Sequence, residues 1–247
     1  MAALLLLAER RNPKMKRNIF AALLAVVVAA GTAGCFEKKE AVANSSGKTG
    51  ANTASDDQSA GTPEGTTMTE SMELMRLKYA DVPEASSGPV IKISDTTAKP
   101  GEMAGVTVSV TGANEKWSMC GIHITYPDVL ECKMENPEQF TVDYEPGAAI
   151  KKSAGFVAMD WELNLADEMI RNKTRSVFFT TLFKDNDGRD GDIATFFFKV
   201  PDDAKPGTVY DFGYYYMESD MFRNIENDQS FEKYAFEHLQ GGSITVT

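Results

Sequence analysis

The sequence predicts an all-β fold, a β-sandwich of about nine short strands with one short inserted α-helix near the C-terminus. Two observations carry this prediction. Apolar and polar residues alternate along segments such as Val106-Thr107-Val108-Ser109-Val110, which is the period-two pattern of a strand with one face in water. Turn-forming clusters such as Lys99-Pro100-Gly101 and Lys205-Pro206-Gly207 separate these segments.

The strands can be assigned in order along the chain. The first contains Ile91 and Ile93, the second is the valine segment, and the last contains Ile244 and Val246. Between them, strands are predicted over residues 120–126, 129–134, 155–163, 175–184, 193–200 and 209–217. In the helix, Ser230 is the predicted N-cap, Phe231, Tyr234, Ala235, Phe236 and Leu239 form the apolar face, and Gly241 ends it.

Composition alone argues against several classes of function. The chain of 247 residues has a formal net charge of −11, whereas nucleic-acid binding needs clustered Lys and Arg to displace counterions. It contains two histidines and three cysteines, so the usual zinc ligands are scarce. The sequence has no nucleophile elbow, phosphate loop or zinc signature. We therefore expect no catalytic residue, no metal, no bound cofactor and no nucleic-acid partner.

Residues 1–35 have the layout of a secretory signal. Lys16 and Arg17 precede an apolar run over residues 19–30, which is too short for a comfortable membrane span. A start at Met15 would give this signal a compact charged beginning, so Met15 is the expected true start. The tail Thr32-Ala33-Gly34-Cys35 resembles a lipobox, in which the cysteine thiol is lipidated. The alternative is an ordinary cleaved signal in which Cys35 is incidental.

Residues 36–87 are predicted to form a flexible linker. No aromatic residue follows Phe36 up to residue 67, so this stretch cannot bury enough apolar surface to offset its backbone entropy. Met68, Met72, Met75 and Tyr79 then recur at helical spacing, which fits either a short helix packed on the domain or a transient turn. With lipid at Cys35, the linker would hold the folded domain, residues 88–247, at the extracellular face of the membrane.

The order of motifs over residues 90–247 resembles the cohesin family. Lys99-Pro100-Gly101-Glu102 precedes the valine strand, and the run from Gly121 to Glu131 contains Tyr126-Pro127-Asp128, where cohesins have Tyr-Asp-Pro before a Val-Leu-Glu start. Asp190-Gly191 then leads to a strand ending Phe198-Lys199-Val200, which is similar to the Phe-Lys-Val ending of cohesins. The Ala204-Lys205-Pro206-Gly207 turn and the Gly241–Val246 ending are also cohesin-like.

This resemblance implies a fold and a function. The fold is a nine-stranded cohesin-like jelly-roll sandwich, and the function is the non-catalytic docking of dockerin-bearing enzymes or scaffold proteins in cellulosomes. Calcium in such a complex belongs to the dockerin loops, so this chain itself needs no metal. A single lipidated cohesin would be a monomer apart from its partner and would tether that partner to the cell surface.

Strand alternation assigns side chains to the two faces of the predicted binding sheet. The inward sets are Cys120, Ile122, Ile124 and Tyr126 in one strand and Val177, Phe179, Thr181 and Phe183 in another. The outward positions match the binding sheet of cohesins, and among them Met119, Phe178 and Leu182 would form an apolar patch of the kind that marks an interface. The predicted dockerin-binding residues are Met119, Gly121, His123, Thr125, Ala158, Asp160, Phe178, Thr180, Leu182 and Lys184.

Three points in this assignment stay open from sequence alone. The assignment of inward and outward side chains could be reversed, or a helix could cover the outward residues. The sequence does not decide which of Asp160 and Trp161 faces outward. Cys120 and Cys132 flank a turn and could form a disulfide, although reduced core thiols are the preferred interpretation.

Other functions fit the sequence less well. The acidic run over residues 185–192 resembles a calcium loop, but an EF-hand loop starting at Asp185 needs Gly where Asp190 stands, so a solvated hairpin turn is expected. Asp160 and Glu162 are two apart on one strand and are not opposed across a cleft as glycosidase carboxylates are. Alternatives are a surface adhesin or a carbohydrate-binding sandwich with a planar aromatic row of Tyr214, Tyr216 and Trp161.

Overall fold

The computed structural model describes residues 69–160 and 166–247. The predicted signal, Cys35 and most of the predicted linker lie outside these residues. Within them, no helix is both long and apolar enough to cross a bilayer.

Two sheets form the fold, as the sequence predicts. The first contains β1 (Val90–Ile93), β3 (Met103–Thr111), β5 (Glu131–Cys132), β8 (Tyr144–Pro146) and β11 (Gly191–Lys199). The second contains β2 (Asp95–Ala98), β4 (Met119–Pro127), β6 (Met134–Asn136), β7 (Thr141–Val142), β9 (Gly155–Asp160), β10 (Thr174–Leu182), β12 (Val209–Tyr214), β13 (Met221–Arg223) and β14 (Gly242–Val246).

The order of the strands in the sheets places sequence-distant segments side by side. The first sheet runs β1-β3-β11-β5, with β8 also paired to β11. The second runs β2-β14-β12-β4-β10-β9-β7-β6, with β13 paired to β4. The edge pair β14 and β2 is parallel, whereas the central pairs β12–β4, β4–β10 and β10–β9 are antiparallel.

Alternating side chains from the two sheets fill the space between them. Val106, Val108 and Val110 of β3 are fully buried, and so are Ile122 and Ile124 of β4. Aromatic rings join the two sheets: the ring centroids of Phe198 and Tyr126 lie 4.9 Å apart, and those of Phe179 and Phe196 lie 5.7 Å apart. Burying an aromatic side chain removes a large apolar area from water. Each Å² of apolar surface buried stabilises the folded state by about 25 cal/mol.

The predicted strands are divided more finely than expected. In the described part of the chain, fourteen short strands replace about nine predicted ones. The first predicted strand is β1, and the chain crosses at Ser94 to β2, a strand of the other sheet that was not predicted. Ser94 stabilises the crossing because its hydroxyl accepts a hydrogen bond from the backbone N–H of Thr107 at 2.9 Å.

Among the described residues, three α-helices pack on the sandwich: α1 (Thr69–Lys78), α2 (Asp167–Arg171) and α3 (Gln229–Glu237). The structure therefore has a helix where the sequence left a helix or a turn open, and α1 buries Ser71, Met75 and Tyr79 while Met72 is exposed. The sequence did not predict α2.

Helix α3 starts earlier than predicted. The N-cap is Asp228 and not Ser230, because the Asp228 carboxylate accepts the backbone N–H groups of Ser230 and Phe231 at 2.9 and 3.4 Å. The helix ends at Glu237, before the predicted stop at Gly241. Ala235 and Phe236 are fully buried, which confirms that this helix covers the sandwich.

Candidate functional site

The candidate site is the outer face of β4, β10 and β9, the centre of the larger sheet. Antiparallel pairing aligns its side chains in rungs across the strands. From one end of the sheet to the other, the rungs are Thr125–Ser176, His123–Phe178–Met159, Gly121–Thr180–Val157 and Met119–Leu182–Gly155. Directly opposed residues share a face of the sheet, so these four rungs form one continuous surface.

The inner face beneath these rungs agrees with the sequence prediction. Cys120, Ile122, Ile124, Tyr126, Val177, Phe179, Thr181 and Phe183 are all buried. Alternation therefore identifies correctly which side of β4 and β10 faces the other sheet.

Exposure changes along the outer face. We call the first two rungs, Thr125–Ser176 and His123–Phe178–Met159, the covered half: His123 is 1% exposed and Phe178 is 7% exposed. We call the other two rungs, Gly121–Thr180–Val157 and Met119–Leu182–Gly155, the open half. Leu182 is 48% exposed, Gly155 is exposed, and Met119, Val157 and Thr180 are half-buried, whereas Gly121 at the border with the covered half is buried.

Two segments that are far apart in the sequence pack beside the covered half. They are residues 166–171, which include α2, and residues 215–221, and we call them together the cap. Met169 of α2 and Tyr215 are both buried and pack together, with Ala166 and Met217 against them. The backbone N–H of Tyr215 donates to the carbonyl oxygen of His123 at 3.2 Å, and the Thr174 hydroxyl donates to the carbonyl oxygen of Met169 at 3.2 Å. The cap is therefore hydrogen-bonded to both β4 and β10.

A buried pair of polar side chains joins the cap to the sheet. The His123 Nδ1 atom lies 2.6 Å from Oδ1 of Asp220, and both side chains are almost fully buried. The other carboxylate oxygen of Asp220 accepts the backbone N–H of Met217 at 3.2 Å. Burial raises the pKa of Asp220 from its ordinary value, and the neighbouring His123 opposes this rise without cancelling it.

Ring packing completes the covered half. The rings of His123 and Phe178 lie 4.6 Å apart between centroids. A Cβ atom added to Gly121 would lie 3.4 Å from Phe178 and 3.6 Å from Met221, which is ordinary van der Waals contact, so both side chains pack closely over Gly121. This packing closes one end of the face.

The structure corrects six of the ten predicted contact residues. Gly121, His123, Thr125, Ala158, Asp160 and Phe178 were predicted to lie outward and accessible, and all six are buried. Gly121, His123, Thr125 and Phe178 do lie on the outer face, but neighbouring side chains and the cap seal them. Met119, Thr180, Leu182 and Lys184 keep half-buried or exposed positions, and their contact with a partner stays a prediction.

The predicted contacts placed Ala158 and Asp160 outward on β9, a point that the sequence left open, and the structure places both inward. Ala158 and Asp160 are opposite Phe179 and Val177, which belong to the inward set. Asp160 accepts a hydrogen bond from Nη2 of Arg175 at 2.7 Å, so its carboxylate is paired and not offered to a partner. The outward residues of β9 are Gly155, Val157 and Met159, which the sequence analysis did not include among the contacts.

The structure also places the predicted aromatic row and the acidic run over residues 185–192. Tyr214 and Tyr216 are buried, so they cannot present a planar row to a sugar, and Trp161 lies outside the described residues. In the acidic connection between β10 and β11, the Asp190 carboxylate accepts the backbone N–H groups of Gly112 and Ala113 at 3.1 and 2.8 Å. That carboxylate therefore secures a turn of the neighbouring sheet.

Residues 69–160 and 166–247 contain no cluster of three or more His, Cys, Asp or Glu side chains arranged to hold a metal ion. Cys120 and Cys132 are both free thiols in buried positions, and burial raises the pKa of Cys120 to about 12. Such thiols are neutral at ordinary pH and are poor nucleophiles.

Comparison with known proteins agrees with this geometry. The chain matches the model of the cohesin domain over residues 89–214, more than half of its length. A type III cohesin module from the ScaE cell-surface anchoring scaffoldin of Ruminococcus flavefaciens has a similar fold, with 23% identity and a TM-score of 0.53 over 65% of this chain and 88% of that chain.

Other solved structures are more distant. A type I cohesin in a cohesin–dockerin complex from Clostridium thermocellum is 18% identical with a TM-score of 0.45, over 65% of this chain and 99% of that chain. A non-cellulosomal cohesin from the archaeon Archaeoglobus fulgidus is 15% identical with a TM-score of 0.42, over 65% of this chain and 92% of that chain. No curated protein matches the chain. Because the family model matches most of the folded part, the chain belongs to the cohesin family.

Proposed function

We propose that this protein is a non-catalytic docking module that binds a dockerin-bearing enzyme or scaffold protein through the open half of the β4–β10–β9 face. The observation that carries the proposal is the exposed side chain of Leu182 beside half-buried Met119 and Val157, on a sheet whose other end is covered. Exposed apolar side chains grouped on one face are typical of interaction surfaces.

The open half also indicates the chemistry of the partner. Its side chains, those of Met119, Val157, Thr180 and Leu182, carry no formal charge, and the adjoining cation, half-buried Arg223 opposite Met119, is paired with Glu232 at 2.7 Å. The Thr180 hydroxyl donates to the carbonyl oxygen of Cys120 at 2.8 Å, which leaves its methyl group as the feature suited to packing. A partner that packs apolar side chains here would form the dry centre of an interface, with Lys184 at its rim.

Binding to dockerins from the same cell tests the proposal. Isothermal titration with each dockerin should identify a partner, and Leu182→Asp should weaken that binding by more than about thirtyfold, because a central apolar contact becomes a desolvated charge. Val209→Asp is the matched control. Val209 is the first residue of β12 in the same sheet, and its side chain is 49% exposed, compared with 48% for Leu182. The control should bind as the parent does.

Two results would contradict the proposal. One is equal binding by Leu182→Asp and the parent. The other is the absence of binding to every dockerin together with heat on titration of cellulose oligomers, which would favour a carbohydrate-binding sandwich. Calcium should be needed by the dockerin alone, so chelation should abolish the complex without changing the melting temperature of the free chain.

We further propose that lipid at Cys35 tethers the docked partner to the extracellular face of the membrane, with the chain a monomer apart from that partner. Two acyl chains are enough for stable anchoring, at about 0.8 kcal/mol for each buried methylene. Cys35→Ser should move the protein from the membrane fraction to the medium. Retention of this variant in the membrane would contradict the lipid anchor without affecting the docking proposal.

A further inference from the structure

We propose that helix α1 latches the cap, so that the segment joining the linker to the domain controls how much of the docking face is covered. The effect on docking rests on the proposed function, whereas the latch itself is a property of the free chain. The proposal follows from the position of α1, which contacts both segments of the cap although these are far apart in sequence.

The first turn of α1 holds both segments at once. The backbone N–H of Glu70 donates to Oε2 of Glu168 at 2.8 Å, and Nη2 of Arg171 donates to Oε1 of Glu70 at 2.5 Å, so Glu70 is bonded to both ends of α2. The neighbouring Ser71 is 1% exposed, and its hydroxyl accepts the backbone N–H of Tyr216. Two adjacent residues of α1 therefore join α2 to the segment 215–221.

The C-terminal end of α1, with Tyr79 directly after it, fixes the helix to α3 and adds two contacts to segment 215–221 of the cap. The Tyr79 hydroxyl donates to Oε1 of Glu232 in α3 at 2.8 Å, in a buried environment. The Tyr79 ring packs edge-on against Tyr216 with centroids 6.2 Å apart. Lys78 donates to the carbonyl oxygen of Asp220 at 3.5 Å. Since Met75 is also buried, this end of α1 is held by contacts that do not involve Glu70 or Ser71.

The cap in turn acts on the docking face through Asp220 and Tyr215. Asp220 is hydrogen-bonded to His123, and Tyr215 is hydrogen-bonded to the backbone of the same residue. Phe178 packs on the His123 ring. Loosening of the cap would therefore expose His123 and Phe178, which continue the open half without a break. The accessible face would extend from two rungs to four.

Amide hydrogen exchange of the full chain tests the latch. Glu70→Ala/Ser71→Ala removes the side-chain contacts of the first turn and leaves Met75 and Tyr79 in place. The matched control is Glu73→Ala/Arg76→Ala, which removes an exposed ion pair from the same helix. We expect exchange at Tyr215 and Met217 to accelerate at least about tenfold in the first variant and to stay within about twofold in the control. Exchange in β3 and β11 reports the integrity of the fold in both.

The outcome decides the proposal in either direction. Faster exchange of the cap in Glu70→Ala/Ser71→Ala alone, with β3 and β11 unchanged, supports the latch. Unchanged exchange at Tyr215 and Met217, or equal acceleration in the control, overturns it. Because this measurement uses no partner, a negative result refutes the latch even where a dockerin binds. A positive result stands even where the docking proposal fails.

Discussion

The two halves of the β4–β10–β9 face have the same strands and the same alternation, yet one half is sealed and the other is open. His123 and Leu182 both point away from the core, but the first is 1% exposed and the second 48%. The difference arises from the cap, whose segments come from before β10 and after β12. Strand alternation therefore decides the side of a sheet on which a residue lies, and distant segments decide whether that side is accessible.

Stability measurements should separate the halves most clearly. Phe178→Ala removes a buried ring that packs on His123, and we expect a loss of about 4 kcal/mol in the free energy of unfolding. Leu182→Ala removes a half-exposed side chain and should cost less than about 1 kcal/mol. Urea unfolding followed by circular dichroism measures both. Similar losses in the two variants would mean that the halves do not differ in packing.

Breaking the buried pair of His123 and Asp220 in the covered half should cause the next largest loss of stability. Asp220→Ala leaves His123 buried without its carboxylate and also removes the acceptor for Met217, so we expect a loss of about 3 kcal/mol. Asp220→Asn keeps an acceptor oxygen and should lose less. If urea unfolding finds Asp220→Ala as stable as the parent, the pair does not hold the cap.

Alkaline pH probes the interior at the covered end, where Tyr126 lies on the inner face of β4. Burial raises the pKa of Tyr126 well above the unfolded value of about 10, so the folded chain keeps a proton that the unfolded chain releases. Its contribution to stability is complete below about pH 10 and falls as the pH rises above that value, by about 1.4 kcal/mol for each pH unit.

Tyr126→Phe should therefore flatten the dependence of unfolding free energy on pH between about 10 and 11, compared with the parent. Tyr210→Phe is the control, because Tyr210 is only half-buried on β12. Urea titrations at several alkaline pH values measure the slope. Identical slopes for Tyr126→Phe and the parent would contradict the expected proton retention.

A small loss of stability is expected at the boundary between the halves. Thr180→Val keeps the shape of the side chain but removes its hydrogen bond to the carbonyl oxygen of Cys120, which should cost about 1 kcal/mol. Affinity for a dockerin should change little, since the methyl surface is retained. A large loss of affinity with unchanged stability would show that the partner uses the hydroxyl.

Much of this fold is readable from the sequence because period-two alternation reports a local property of the chain. The inward sets of β4 and β10 were predicted correctly for this reason. Asp160 was misplaced because the outward face of β9 carries the apolar Val157 and Met159 while the inward face carries Asp160, so alternation indicates the wrong parity. The pairing of Asp160 with Arg175 depends on the register of β9 and β10, which the sequence does not specify.

The cap was missed for a different physical reason. Its cover depends on contacts between residues 166–171 and 215–221, and no local period reports such contacts. One signal was available: the runs Val177-Phe178-Phe179 and Tyr214-Tyr215-Tyr216 carry apolar side chains at consecutive positions, which is typical of strands buried on both faces. That signal predicts some cover over β10 and β12 without identifying the segment that supplies it.

The buried thiols of Cys120 and Cys132 give the domain an internal reporter of its own opening. Both thiols are buried, and this burial raises the pKa of each above that of an exposed cysteine, which holds it in its unreactive protonated form. An alkylating reagent should reach them only when β4 or β5 leaves the sheet. The rate of labelling at these two residues, distinguished from Cys35 by peptide mapping, would therefore time the unfolding of each sheet separately without any engineered probe.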